Sequence, residues 1–423
     1  MNTSTHPSPA EATTAGRRLL RVRDFRLLWS AYAVSAVGSE VTVLAIPLAA
    51  AVLLGASPLQ MGLITAAGTA PYVGFALLAG AWVDRLPRRR PMLVAADLVA
   101  ASALITVPVA HVLGSLTVAQ LVAVELAVGL ARVLFRPGFQ AHLPDVVRRE
   151  ELTAASGHLR AAESGALMTG PGLGGLLVQA LSAPVAVLVD AVSFLASAVL
   201  ISRVRVPERV DHQPPPRRRL RVEVGEGLTH MWADRRLRAI AGAAANLNFF
   251  GLMVFALYVV YLTRELDFTP VMIAAVTVSG GAGAMTGALL APRVTARIGR
   301  GPTFLLASGV FSVAMVAFPA AGGPRGVALA ILMANEVVVG LAIMLFDVTT
   351  SSFILTAVPR GMLGRVNSSL STITQGVKPL GAITGGALGS AIGLRPALWV
   401  AAAGTLTTVL WVWFSPLRHD RER

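Results

Sequence analysis

Long apolar stretches separated by short polar breaks are the dominant pattern along this chain. An α-helix needs about 20 apolar residues to cross the hydrocarbon core of a bilayer, and each stretch reaches roughly that length. Strands of a membrane barrel have about ten residues and alternate polar with apolar side chains, unlike these stretches. The pattern predicts about twelve transmembrane helices. They are expected at 27–54, 60–83, 92–113, 117–135, 153–181, 184–201, 238–263, 271–292, 302–320, 326–347, 364–392 and 396–414.

A polar, arginine-rich stretch near the middle of the chain contains Pro214, Pro215 and Pro216. It separates six predicted spans from the next six and is typical of a cytoplasmic linker, in which an amphipathic helix near 222–232 is expected to lie on anionic lipid headgroups. The expected fold is an all-α membrane protein with two six-helix pseudo-repeats. Its parts are a cytoplasmic N-terminal tail at 1–26, a bundle at 27–201, the linker at 202–237, a second bundle at 238–414 and a cytoplasmic C-terminal tail at 415–423.

The two predicted bundles share sequence in register. The segment from Glu125 to Phe135 in the fourth span matches the segment from Glu336 to Phe346 in the tenth at an offset of 211 residues. Charged, proline and glycine positions keep nearly the same offset elsewhere. These pairs are Pro58 with Pro270, Arg85 with Arg297, Gly174-Gly175 with Gly385-Gly386, and Pro184 with Pro396. Parallel repeats of this kind place a substrate site between the halves, near the bilayer midplane.

The amino-acid composition is also typical of a protein that lies in an apolar environment. Hydrophobic residues make up 55% of the 423 residues and charged residues only 14%, whereas a soluble domain carries roughly a quarter charged residues. The chain has no cysteine, which excludes disulfides, thiolate metal sites and palmitoylation. No cofactor or metal is therefore expected.

The net charge of +14 comes from arginine, since Lys378 is the single lysine. The arginines concentrate before the first span, in the even-numbered loops and in the linker, whereas the opposite side holds only Arg264, Arg325 and Arg395. Arginine-rich loops stay cytoplasmic, so both termini are expected in the cytoplasm of a cell-membrane protein. This asymmetry explains the charge, and because no aromatic-interleaved basic domain is present, no nucleic-acid partner is expected.

The loop after the second span reads Gly80-Ala-Trp-Val-Asp84-Arg85-Leu-Pro-Arg88-Arg89-Arg90. It resembles the signature loop of the major facilitator superfamily, in which a glycine is followed by an acidic-basic pair and a basic cluster. The resemblance implies that Gly80, Asp84, Arg85, Arg88 and Arg89 form a conformational latch. A carboxylate at the end of its span can pair with arginines and with a neighbouring helix N-terminus. The alternative is that these arginines only fix the topology.

In the fifth span, Gly170-Pro171-Gly-Leu-Gly174-Gly175 resembles the glycine-proline motif of proton-coupled antiporters in that superfamily. The alternative is ordinary close helix packing, which Gly and Pro also permit. Leu143-Pro144 and Asp190-Ala-Val-Ser193-Phe194 further resemble the bacterial drug-efflux members, a group with macrolide and siderophore exporters. The match of Arg132 to the arginine motif of the fourth helix is set aside, because Arg132 lies close to the expected cytoplasmic end of its span.

No ATP-driven engine and no enzyme is indicated. Lys378 precedes Pro379, so a Gly-Lys-Ser/Thr phosphate loop cannot exist, and neither HExxH nor GxSxG occurs. The remaining possibility is a secondary transporter that is driven by an ion gradient.

Ionisable residues inside spans are candidate sites, because burying one in lipid costs several kcal/mol. Glu40, Glu125 and Glu336 are candidates for proton coupling, and Glu40 is preferred because the symmetric pair of Glu125 and Glu336 suggests a structural role. The substrate-cavity candidates are Tyr32, Asp190, Asn246, Asn248, Gln375 and Lys378. For each of the buried groups the alternative is a structural hydrogen bond within the membrane.

The expected function is proton-antiport export of amphipathic, antibiotic-like small molecules by alternating access, with the lipid bilayer and protons as further partners and a monomeric state. A dedicated siderophore or metabolite exporter is the alternative within transport. A membrane scaffold or sensor is the alternative of another class, although such proteins usually carry a soluble partner domain.

The predicted orientation can be tested with single cysteines, since the chain has none of its own. Cysteine placed at Ser8 or at Gln213 should resist a membrane-impermeant thiol reagent in intact cells, because both positions are expected in the cytoplasm. Labelling should appear once the cells are permeabilised. Ready labelling in intact cells would refute the orientation.

Overall fold

The computed structural model describes residues 19–83, 86, 88–207 and 220–419. Every regular element in these ranges is helical and none is a strand, which confirms the all-α prediction. Helices are the expected form, because a helix satisfies all its backbone polar groups within one segment and needs no partner in the bilayer.

Twelve of the described helices have 20 or more residues. The first set comprises α1 (Arg23–Leu48, continued by a π-helical turn at Ala49–Leu53), α2 (Pro58–Val83), α3 (Arg90–Val112), α4 (Val118–Val146), α5 (Leu152–Ala180) and α6 (Ala183–Ser202). A shorter helix, α7 (Leu220–Ala233), follows. The second set comprises α8 (Arg235–Arg264), α9 (Pro270–Ile298), α10 (Arg300–Ala320), α11 (Arg325–Ala357), α12 (Leu363–Ile392) and α13 (Leu394–Trp413).

Nine of the described helices are long and apolar enough to cross a membrane by length and composition. The other three long helices are α2, α5 and α12, of 26, 29 and 30 residues. The α2 segment contains no charged residue, whereas α5 carries Arg160 and Glu163 and α12 carries Arg365 and Lys378. Length alone permits all three to span a bilayer, since 20 residues cover about 30 Å.

The predicted spans agree with the helices within a few residues, except at the ends of α4, α9 and α11. These helices continue 11, 6 and 10 residues beyond the ends expected at 135, 292 and 347, to Val146, Ile298 and Ala357. In α4 the cause is a series of polar residues, among them Arg136 and Gln140, which end the apolar run without ending the helix. Because α4 is longer, Arg132 lies near the middle of the helix and not near its end.

The two sets of helices meet at the end of the bundle opposite the termini, which we call the distal end. There α2 packs against α12 and α5 packs against α9. The backbone N–H of Leu59 in the first turn of α2 donates to Ser390 Oγ at 2.9 Å. The backbone N–H of Val271 in the first turn of α9 donates to Gln179 Oε1 at 3.4 Å. Each set therefore caps a helix N-terminus of the other set, and the four positions correspond in the repeat.

A third contact between the sets at the distal end involves Arg264, the last residue of α8. Its guanidinium donates to the carbonyl oxygens of Ala56 at 2.8 Å and of Ala51 at 3.3 Å. These carbonyls follow α1, where the π-helical turn leaves backbone acceptors without an intrahelical donor. One cation thus joins the two sets through two backbone acceptors.

The linker helix α7 packs on the protein. Met231 is buried with Leu237, Ile354 and Val366, and the helix contacts α12. Glu226 pairs with Arg365 of α12 at 2.6 Å. The amphipathic helix expected near 222–232 is present, but this face covers α12, whereas we expected it to lie on lipid headgroups.

The reciprocal caps can be tested by removing their side chains. Gln179→Ala and Ser390→Ala should each weaken the closure of the distal end by about 1 kcal/mol, the usual contribution of an N-cap, and so raise the separated fraction about fivefold. Spin labels on Val112→Cys and Val327→Cys, both exposed near that end, report the separation by pulsed electron resonance.

Thr117→Ala is the matched control for this prediction. Thr117 accepts from the backbone N–H of Gln120 and so caps α4 within a single set. Its loss should reduce overall stability without changing the distance distribution. Equal shifts in all three variants would show that the caps between the sets do not control closure.

Candidate transport site

A cavity of about 390 Å³ lies among the helices of the first set. Several residues that line it, including Gln140, Ser156 and Arg160, are exposed and lie toward the end of the bundle that carries the termini. The cavity therefore opens at that end, opposite the closed distal end. Its polar lining comprises Tyr32, Ser35, Ser39, Glu40, Tyr72, Asp97, Arg132, Arg136, Gln140, Ser156, Arg160 and Glu163.

Glu40 is the carboxylate that α1 presents to this cavity. The carboxylate lies within electrostatic range of Arg132 on α4, Glu163 on α5 and Asp190 on α6. Its side chain passes directly over Gly170 of α5, where a Cβ would lie 3.2 Å from Glu40 Cγ and would overlap Glu40 Cβ. The absence of a side chain at Gly170 is therefore what makes room for Glu40 between α1 and α5.

The remaining residues of the predicted glycine-proline motif lie on two faces of α5. Gly174 packs on the α1 backbone, where an added Cβ would be 3.2 Å from Val41 Cα. Gly175 faces α9 of the other set, where the Cβ would be 2.8 Å from the carbonyl oxygen of Pro270. Pro171 is buried inside the helix. The motif is thus a packing surface that joins α5 to both sets.

An aromatic wall lines the side of the cavity formed by α1 and α4. The ring of Tyr32 lies 5.1 Å from that of Phe139, and Phe135 stacks on Phe139 at 5.6 Å. Aromatic faces at these spacings bury apolar surface and attract cations. Of the substrate-cavity candidates, Tyr32 is the one that the cavity lining includes.

Arg132 and Arg136 are functional candidates, of which the sequence reasoning set Arg132 aside and missed Arg136. They lie one helical turn apart on α4 and both line the cavity. A useful signal was present in the sequence: two arginines four residues apart within a long helix share one face. Arginines inside the membrane almost always face a cavity or a partner, so the spacing indicated a polar interior.

Glu125 and Glu336 occupy equivalent places in the two sets. Glu125 of α4 lies over Gly68 of α2, where a Cβ would be 2.6 Å from Glu125 Oε2. Glu336 of α11 lies over Gly280 of α9, where the corresponding distance is 2.8 Å. One turn further along, Gly129 and Gly340 pack on the carbonyl oxygens of the same two glycines. Both carboxylates are therefore built into a repeated helix crossing.

Asp190 is fully buried on α6 and does not line the cavity as the structure describes it. The hydroxyl of Ser193 donates to Asp190 Oδ1 at 3.0 Å. Gly38 of α1 leaves the space for this pair, since a Cβ there would be 2.6 Å from the same oxygen. These contacts hold α6 against α1, which is the structural alternative considered above.

The candidates in the second set lie apart from this cavity. The Asn246 amide donates to Thr407 Oγ1 and accepts from Thr408 Oγ1, both at 2.7 Å, and so binds α8 to α13. Asn248 donates to the carbonyl oxygen of Ala244 in its own helix at 2.8 Å. Gln375 and Lys378 are half-buried on α12. Their roles in a substrate cavity stay predictions.

Lys378 lies within electrostatic range of Asp347 on α11 and of Arg136 on α4, a residue of the first set. Asp347 is a further residue that the sequence reasoning missed. It occupies the repeat position of Arg136, so the two sets present opposite charges there.

The predicted latch is described in part. Gly80 lies near the end of α2, Arg88 is exposed, and Asp84 and Arg85 lie outside the described residues. Arg89 approaches the end of α4, where it donates to the carbonyl oxygen of Ala141 at 3.3 Å and pairs with Asp145 at 3.5 Å. This loop is therefore connected to the helix that carries Arg132 and Arg136.

Among the described residues, no group of three or more His, Asp or Glu side chains is placed to hold a metal ion. The arrangement instead provides a polar cavity in which the carboxylates of Glu40, Asp97 and Glu163 share the lining with arginines and an aromatic wall. Such a cavity can hold an amphipathic molecule and exchange a proton.

Comparison with known proteins identifies the family. Residues 28–378 match the Major Facilitator Superfamily. The multidrug efflux pump Tap of Mycolicibacterium fortuitum is 27% identical over 371 residues, covering 85% of this chain and 87% of Tap. Macrolide efflux protein A of Streptococcus pyogenes is 22% identical over 385 residues, covering 90% and 93%. The crystal structure of a bacterial homologue of the iron transporter ferroportin, in an inward-facing state, has a TM-score of 0.74 at 17% identity, covering 93% and 98%.

The contact between Gly170 and Glu40 can be tested with a methyl group. Gly170→Ala should force α1 and α5 apart, lower the melting temperature through about 1–3 kcal/mol of overpacking, and impair transport. Gly165→Ala, on the same helix, is the control, because a Cβ there meets nothing within 4 Å. It should be neutral or slightly stabilising. Equal loss of activity in both variants would contradict the packing role of Gly170.

Proposed function

Since the chain belongs to the major facilitator superfamily, we propose that it is a secondary active transporter that exports amphipathic, antibiotic-like small molecules in exchange for protons. The observation that carries the proposal is the cavity of the first set, where Glu40 faces an aromatic wall and two arginines. The names of the two efflux relatives support the substrate class and the direction of transport.

The cavity suits a substrate with an apolar body and a polar or cationic group. Tyr32, Phe135 and Phe139 supply flat apolar surface, which tolerates varied shapes better than a hydrogen-bonding site does. Glu40 is the acidic residue that α1 contributes to the cavity lining, and its carboxylate supplies a negative charge there. A cationic group on the substrate can pair with this carboxylate.

Comparison of the two repeats favours Glu40 over Glu125 as the coupling group. Glu125 has a counterpart, Glu336, in the same packing arrangement. The offset of 211 or 212 residues places Gly251 or Leu252 opposite Glu40, so this carboxylate has no counterpart. A carboxylate that occurs at equivalent positions of both repeats serves the helix packing that both repeats share. A carboxylate that occurs in one repeat only serves a function that this repeat alone performs.

In the proposed mechanism a proton and a substrate compete for the Glu40 carboxylate. A charged carboxylate without a partner is costly to enclose in the membrane. The transporter therefore changes conformation when Glu40 is either protonated or paired with substrate. This competition makes the exchange obligatory.

In alternating access, the distal end would open while the end that carries the termini closes. In this structure the cavity opens at the end with the termini, which the arginine asymmetry assigns to the cytoplasm. Opening the other way requires release of the Leu59, Val271 and Arg264 contacts at the distal end. The latch of Gly80, Asp84, Arg85, Arg88 and Arg89 would then hold the cytoplasmic end, and Arg89 already contacts α4 there.

Arginines in the cavity lining support a second candidate function. Arg132, Arg136 and Arg160 suit an anionic substrate, so a dedicated siderophore or metabolite exporter is the alternative. A deletion strain tested against dyes, macrolides and siderophores distinguishes the two: broad sensitivity to cationic drugs supports the first function, and a defect confined to one anionic compound supports the second.

Glu40→Gln tests the coupling. In proteoliposomes with an imposed pH gradient, this variant should lose uphill transport, because the amide cannot carry the proton. Substrate binding and downhill exchange should survive. Glu125→Gln is the comparison, and it should keep proton-driven transport. If Glu40→Gln still concentrates substrate against its gradient and Glu125→Gln does not, Glu125 carries the proton.

A further inference from the structure

A second cavity, of about 780 Å³, lies between the start of α8 and the end of α13. We call it the α8–α13 groove. It lies at the end of the bundle that carries the termini, and its lining residues belong to α8, to α13 and to the segment just after α13. Arg235 and Arg238 form one wall, and Trp411, Trp413 and Phe414 form the other.

The two arginines suit an anionic group. They are three residues apart, so they share one face of α8. They also lie in its first turn, where the backbone N–H groups favour a negative charge. Asp234 lies beside them, but its carboxylate accepts from the backbone N–H of Arg236 at 2.7 Å and so caps the helix. Arg238 Nη1 donates to the carbonyl oxygen of Trp232 at 3.2 Å, and Arg235 is exposed, so two guanidinium groups give the groove its positive charge.

The aromatic wall suits a lipid chain and glycerol group. The side chains of Trp411, Trp413 and Phe414 are 46%, 49% and 82% exposed, so they leave apolar surface open along the groove. Trp411 is held in place by Gly242 of α8, where a Cβ would be only 2.5 Å from the indole ring. Tryptophan at a helix end is typical of the membrane interface, where its ring lies at headgroup depth.

We propose that the α8–α13 groove binds an anionic phospholipid, with Arg235 and Arg238 on the phosphate and with Trp411, Trp413 and Phe414 on the glycerol and upper acyl chains. Basic pockets between transmembrane helices are the usual place for such headgroups. The arrangement differs from a general arginine excess, because it combines a charged wall, an aromatic wall and a preformed volume.

Native mass spectrometry of the full chain in a neutral detergent tests this site. Dioleoyl phosphatidylglycerol should bind more tightly than dioleoyl phosphatidylcholine. Arg235→Ala with Arg238→Ala should weaken phosphatidylglycerol binding about thirtyfold, because each arginine near an anionic headgroup contributes a factor of about five. Phosphatidylcholine binding should change little.

Two further variants keep the test decisive. Arg297→Ala removes an exposed arginine at the same end of the bundle, outside the groove, and should leave binding unchanged. Phe414→Ala removes a largely exposed side chain without disturbing the fold and should weaken phosphatidylglycerol binding several-fold. Equal binding of the two lipids to the wild-type chain would overturn the proposal. So would an equal effect of Arg297→Ala and the double arginine variant.

Discussion

The bilayer demands that every backbone polar group find its partner inside the protein, and this constraint determines how the two sets of helices meet. A helix leaves its first N–H groups without an intrahelical acceptor. At the distal end, α2 and α9 obtain an acceptor for one such group from the opposite set, through Ser390 and Gln179. The same end has two free carbonyls after α1, which Arg264 satisfies. Closure of the distal end therefore supplies these backbone groups with partners from the opposite set.

The repeat keeps this architecture and changes the chemistry around the cavity. Equivalent positions place a carboxylate over a glycine at Glu125 and Glu336, and they supply the two reciprocal caps. The positions around the cavity differ: the residue opposite Arg132 is Ile343, and the residue opposite Arg136 is Asp347. Helix packing needs the same small residues in both sets, because backbones must approach closely in either. A binding site needs its charged residues in one set only.

Sequence reasoning predicted the fold well because a bilayer makes hydrophobic length a direct measure of a span. It failed where a helix continues with polar residues, as α4 does beyond residue 135. There the apolar run ended while hydrogen bonding continued, so Arg132 lies near the middle of α4, whereas it was expected near the end of its span. The glycine-proline motif was found, but its contact with Glu40 could not be, since it depends on the rotation of α5 against α1. The hydrogen bonds of Asn246 with Thr407 and Thr408 depend on the same kind of long-range packing.

The position of α5 gives the proposed coupling a physical route. Gly170 lies against Glu40 in the first set, and Gly175, less than two turns further along the same rigid helix, lies against Pro270 of the second set. Both contacts are close, because a glycine of α5 lies directly on its neighbour: the Glu40 side chain at Gly170 and the Pro270 carbonyl oxygen at Gly175. A small shift of α1 that accompanies a change of partner at Glu40 must therefore move α5, and α5 must in turn move against α9. That is the interface where Gln179 caps Val271, so the state of one carboxylate and the closure of the distal end are connected through a single helix.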